Sequence, residues 1–167
     1  MRISDALLPE FDHETATTRK VLERCPEEKF GWRPHAKSWT MGELATHVAR
    51  LPSWVGYTLT KTELDIAPPG EPPYSEPAIT TSKELLEAFD TNVKAARESL
   101  AKAENDTFMA NWTLLAGGQA IFTMTRVAVI RSFVMNHGVH HRAQLGVYLR
   151  LNDVPVPQMY GATADEQ

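Results

Sequence analysis

Residues 125–151, TRVAVIRSFVMNHGVHHRAQLGVYLRL, decide how this chain is built. Val127, Ile130, Val134, His137, His141, Leu145 and Tyr148 recur at steps of three and four, the repeat of one face of an α-helix. The spacing predicts one helix from about Thr125 to Leu151, with that seam turned to a core. Two of the seam residues are imidazoles. His137 and His141 lie four positions apart, so a helical turn brings their Cβ atoms to about 5–6 Å. Two rings so placed can each offer a nitrogen to one metal ion.

Upstream, Thr40-Met41-Gly42-Glu43 is a capping-box pattern that opens a second helix. Leu44, His47, Val48, Leu51, Trp54 and Val55 form its apolar stripe, and His47 lies on it. Pro52 predicts a kink or short break. A first helix is expected over residues 8–24, with Pro9 in its first turn and Cys25-Pro26 beyond its end. Residues 26–39 read as loop. Residues 66–79 carry five prolines and read as a surface linker. A third helix runs from a Ser82 cap to about Ala103, with Leu85, Leu86, Phe89, Val93, Ala96 and Leu100 as its stripe. Residues 106–123 read either as a short hairpin around Gly117-Gly118 or as an irregular crossover. The tail from Asn152 is not helical. Four long helices with few convincing strands predict an all-α four-helix bundle, a class that builds metal sites from inward side chains on facing helices.

Composition narrows the function. A chain of 167 residues is most simply one domain, 1–167, able to bury roughly 70% of its unfolded surface in one core. A formal net charge of −4 gives no basic footprint for nucleic acid. No run approaches 18 apolar residues, so no membrane span is expected. The single Cys25 forms no internal disulfide, and no signal-peptide pattern opens the chain; both predict a cytoplasmic protein.

Of the six histidines, His47, His137 and His141 share apolar faces of two helices. A buried imidazole is more often a hydrogen-bonded core residue than a ligand, but several without partners in one core are costly. His140 falls some 60° off the seam, toward Phe133 and Val147, and reads as a neighbour of the site or an interfacial residue. His13 and His35 have no partner at useful spacing. Three histidines leave coordination positions open, which suits chemistry better than a structural staple. Nitrogen ligands suit zinc, nickel, iron or copper.

The order Phe30-Gly31-Trp32-Arg33-Pro34, Ser38-Trp39-Thr40-Met41-Gly42-Glu43-Leu44-Ala45-Thr46-His47, Asn136-His137, His140-His141-Arg142-Ala143-Gln144-Leu145, Pro155-Val156-Pro157 and Tyr160-Gly161 resembles the DinB/YfiT-like family almost end to end. The resemblance implies a four-helix bundle, commonly a homodimer, and one divalent metal held by His47, His137 and His141. Ala143, where glycine is frequent, and Ala162-Thr163, where Pro-Ser is common, depart from the pattern without touching that ligand set. The expected function is a metal-dependent hydrolase that activates water for attack on a small-molecule substrate. The alternatives are metal-dependent thiol transfer or isomerisation, and a non-catalytic metal- or ligand-binding module.

Supporting residues are expected as follows. Glu43 is a candidate catalytic base, with the capping box as the plainer role. Gln144 and Asn136 can orient ligands or face solvent. Arg142 reads as half of an ion pair rather than a substrate anchor. Tyr160 either folds over the site or simply packs. Cys25 reads as a small buried hydrophobe, and Trp32, Trp39, Trp54 and Trp112 as core rather than pocket wall.

Overall fold

Thr40 and Glu43 close the expected capping box. The Glu43 N–H donates to Thr40 Oγ1 at 3.2 Å, and Thr40 N–H donates to Glu43 Oε2 at 2.7 Å. That cap starts α2 (Met41–Arg50). The computed structural model describes residues 2–75 and 77–167; Met1 and Glu76, the latter inside the proline-rich stretch, lie outside the described residues. Around α2 the chain runs α1 (Ile3–Glu23), α3 (Trp54–Thr60), β1 (Glu63–Asp65), α4 (Ser82–Lys102), α5 (Asn105–Met109), β2 (Asn111–Ala116), β3 (Gln119–Thr125), α6 (Arg126–Val129), a π-helical segment (Ile130–Asn136) and α7 (His137–Leu151). A 3₁₀ turn at Leu51–Ser53 carries Pro52 and separates α2 from α3, so the expected break occurs there.

α1 packs on α4 and α7, and α2 packs on the same two helices, so these long rods enclose a common interior. Its residues fall into two groups. Phe11, Val55, Leu100, Phe108, Trp112 and Ile130 fill one, beside the sheet. Val21, Leu22, Met41, Leu44, Leu85, Phe89, Leu145 and Leu149 fill the other.

The all-α expectation needs correction, because a three-stranded sheet, in the order β1-β2-β3, joins the helices. Of the two expectations for residues 106–123, the hairpin forms. β2 pairs antiparallel with β3, and Gly117 and Gly118 turn the chain at φ +62° and +76°, left-handed values that glycine meets without strain. Trp112 and Leu114 are buried from one face of β2, which is why the segment orders as a strand. β1 adds in parallel, pairing Glu63 with Thr113 and Asp65 with Leu115. The Asp65 carboxylate accepts N–H bonds from Ala67 (2.9 Å), Gly117 (3.1 Å) and Gly118 (2.7 Å), tying the start of the linker to the hairpin turn.

Two helix starts differ from expectation. α1 begins at Ile3 rather than residue 8, because Ile3 N–H donates to Asn105 Oδ1 at 2.8 Å and the Arg2 guanidinium donates to the carbonyls of Ala101 and Ala103. Pro9 therefore sits inside the helix and not in its first turn. α4 is capped by Thr81, whose hydroxyl accepts from Glu84 N–H, one residue before the expected Ser82. The last rod covers the expected 125–151 but is not uniform. It changes from α to π at Ile130 and back at His137.

Candidate metal centre

His47 sits in the last turns of α2; His137 and His141 open α7. The structure brings the three together. His141 Nε2 is 2.8 Å from His137 Nε2, and His47 Nε2 is 3.5 Å from His137 Nε2. One ligand atom from each ring lies within 4.8 Å of the others. All three rings are half-buried.

Outer contacts fix which nitrogen faces inward. His141 Nδ1 is 2.7 Å from Gln144 Oε1, and His137 Nδ1 is 3.2 Å from the Phe133 carbonyl. Both partners are acceptors, so each Nδ1 carries the proton and each Nε2 turns a lone pair toward the other rings. Burial pushes the His141 pKa down to about 4, so its ring is neutral near pH 7. Neutral imidazoles with converging lone pairs repel one another unless a cation lies among them. Metal–nitrogen bonds of about 2.1 Å in a tetrahedral site would separate the nitrogens by about 3.4 Å. The observed 2.8 and 3.5 Å bracket that value for two of the pairs and all three atoms lie within 4.8 Å of one another, close enough for one divalent transition metal.

The π-helical segment bears on His137. Its backbone N–H donates to Val134 O, whereas a regular α-helix would send it to Phe133 O. The Phe133 carbonyl is thereby turned to the imidazole. That bond tightens the chain where the widened π segment ends, and π segments are rare and frequent at functional sites.

Trp39 is the residue that local periodicity missed. Its indole stacks on His141 at 5.6 Å between ring centroids and meets His47 edge-on at 5.1 Å. It is 48% exposed and so is not core. It stands between two depressions. A cleft of about 530 Å³ reaches His47 past Glu43, Trp54, Tyr74 and Phe133. A groove of about 310 Å³ reaches His141 and Gln144 past Lys37 and Tyr148. Trp54 thus backs the cleft while remaining buried; Trp112 is core as expected, and Trp32 packs edge-on against Tyr148 at 5.5 Å. The cleft's far wall comes from the linker and sheet, through Ile66, Ala67, Pro73, Leu114 and Ala116. Only the position of Trp39, immediately before the Thr40 cap of the His47 helix, hinted at its place.

The other candidates fall into place separately. Glu43 lines the cleft, but its carboxylate caps α2, and the Thr40 N–H bond holds its pKa below the ordinary value. His140 is exposed, its ring against that of His141 at 4.8 Å. Asn136 is exposed. Arg142 faces away from solvent, 1% exposed, and forms an ion pair with Glu14 at 2.7 Å. It also donates to the Glu14 carbonyl, Thr18 Oγ1 and the Tyr160 hydroxyl. Tyr160 OH donates to Glu14 Oε2 at 2.7 Å, so the tail is tied to α1 by this cluster. Cys25 is buried, and burial raises its thiol to about 12, too high for a nucleophile at neutral pH.

A mostly helical chain carrying three converging histidines, one of them lining a cleft, defines a candidate metal-binding protein. The DinB family model matches residues 2–167, and the chain belongs to the DinB family. It is 24% identical over 162 residues to the uncharacterized protein YrdA of Bacillus subtilis (strain 168), spanning 97% of this chain and 90% of that one. A DinB-like protein from Bacillus cereus shares the fold with a TM-score of 0.73 at 23% identity, over 95% of this chain and 98% of that one. The DinB-like protein YjoA from Bacillus subtilis has a TM-score of 0.66 at 14% identity, over 92% and 97%. At these identities the two solved structures speak for the fold alone. No helix among the described residues is long and apolar enough to cross a membrane.

Proposed function

We propose that His47, His137 and His141 hold one divalent transition metal, zinc, nickel or iron, and that the chain is a metal-dependent hydrolase of a small molecule. One observation carries this reading: three imidazole nitrogens converge within 4.8 Å of one another, with His137 and His141 held by outer contacts and His47 lining a cleft of about 530 Å³. When bound, the ion supplies Lewis acidity toward a carbonyl oxygen and lowers the pKa of water at the site toward ~7. The chain's own residues do the rest. Gln144 and the Phe133 carbonyl hold the two Nδ1 protons and keep the rings aimed. Trp39 covers His47 and His141 and limits bulk water around them. Glu43, on the cleft wall, is the carboxylate nearest in sequence to His47 that can take a proton, at the cost of its cap.

Thiol transfer at the same ion is the second reading. It draws on Lys37, which lines the smaller groove beside His141 and can meet an anionic thiol. Hydrolysis is favoured because the larger cleft has no lysine or arginine among its described lining residues. A non-catalytic module gains least from a cluster that opens on two depressions. A homodimer belongs to this reading through the family, and a cytoplasmic location through the single cysteine, Cys25.

Elemental analysis of purified protein beside His47→Ala and His141→Ala tests the ligand set. Stoichiometric metal in the parent and its loss from both variants is the expected result. Metal retained in both variants refutes the assignment. Parallel screens of esters, amides and thiol adducts then separate the two reactions.

A further inference from the structure

The larger cleft is built largely from flat apolar surfaces. Trp54 lies at its base and meets Tyr74 edge-on at 6.1 Å and Phe133 at 5.4 Å. Phe133 in turn meets the His137 ring at 5.4 Å. An aromatic path therefore leads from the linker side of the cleft to the histidine cluster. Trp39 also lines the cleft, against His47 and His141. Ile66, Leu114 and Ala116 add aliphatic surface. Among the described lining residues the charged side chain is Glu43, a carboxylate already occupied in capping α2.

We infer that this cleft binds an uncharged, flat apolar group, so that the substrate is an ester or amide of an aromatic or similarly planar moiety with its reacting bond at the three histidines. Aromatic faces and edges attract such a group through offset and edge-on contacts. An anion entering the same cleft sheds its hydration beside the Glu43 carboxylate and meets no described cation there. The inference rests on the hydrolase reading for the identity of the reacting bond. The preference for a neutral ring follows from the cleft walls alone.

The test is calorimetric titration of the protein as purified, at pH 7, with two probes of one shape. 2-Naphthol is neutral; naphthalene-2-sulfonate is anionic and a poor metal ligand. The cleft should bind 2-naphthol one to one and at least about tenfold more tightly than the sulfonate. Ala116→Trp fills the cleft from the end of β2 and should abolish binding. Tyr74→Ala removes one edge-on wall and should weaken it by roughly 3- to 10-fold. Equal affinity for the two probes overturns the inference. So does parent-like binding in either variant with an unchanged circular dichroism spectrum and melting temperature. Elemental analysis of the same samples keeps the two proposals apart. Selectivity without metal sinks the metal reading alone, and metal without selectivity sinks this one alone.

Discussion

Replacing Gln144 by leucine should loosen the metal without unfolding the protein. The Gln144 Oε1 atom receives the His141 Nδ1 proton at 2.7 Å, and the glutamine is otherwise exposed. Its loss frees the imidazole to rotate and to place its proton on Nε2, the form that cannot ligate through that inward nitrogen. The lost hydrogen bond is neutral and worth about 1 kcal/mol, or roughly fivefold in affinity. Loss of tautomer control adds to this, and partners of ligating histidines elsewhere contribute about 10- to 100-fold. Exposure of Gln144 puts the expected loss at the low end, about tenfold. Competition for zinc against a chromogenic chelator measures it, with the melting temperature of chelator-treated protein as the control for folding. Gln144→Glu retains an acceptor and should hold the metal at least as tightly as the parent. A Gln144→Leu affinity within twofold of the parent would refute the claim that this contact orients the ligand.

Glu14→Leu should destabilise the protein by about 3 kcal/mol, because it strands the guanidinium of Arg142 at 1% exposure with only neutral partners. Adding Arg142→Met should recover most of that loss in a denaturant titration; no recovery would mean the pair is not the source. Glu43→Gln preserves a side-chain acceptor for Thr40 N–H, so the denaturation midpoint should hold while turnover on a cleaved substrate falls roughly 100-fold or more. Parent-like turnover would leave Glu43 as a cap only. Metal-free protein should lose stability as pH falls from about 6.5 toward 4. The folded His141 resists protonation while the unfolded ring accepts it, so the unfolded state binds more protons across that interval. After allowance for the half-open ring the effect is on the order of 1 kcal/mol. A flat stability profile over this range, or one changed as much in His141→Asn, would contradict the assignment.

What could be read from the sequence was what is local. The Thr40–Glu43 box, the Pro52 break and the four-residue step from His137 to His141 each depend on neighbours within one or two turns, and each occurs. The approach of His47 is a long-range event, but the apolar stripe it shares with Leu44 and Leu51 marked it as inward-facing. Long-range pairing hid the rest. Nothing near Glu63–Asp65 announces a parallel partner fifty residues away at Thr113–Leu115. The first turn of α1 depends on Asn105, whose amide meets Ile3 from across the molecule. Trp39 has the composition of a core residue and becomes cleft wall only because the half-exposed histidines lie beneath it. Seam spacing alone did not reveal the change from α to π at Ile130, since the seam continues through it.

That widened turn holds one residue more than an ordinary helical path would need. Removing one residue between Ile130 and Asn136 would restore an ordinary pitch, and each residue of an α-helix carries about 100° of rotation. A widened turn absorbs one extra residue while leaving the phase of the flanking helix nearly unchanged, so the two imidazoles of α7 would keep their bearing toward His47. What such a deletion would change is the carbonyl that Phe133 offers to the His137 ring, whereas a deletion between His137 and His141 would turn one ring about 100° relative to the other with all three histidines left in place.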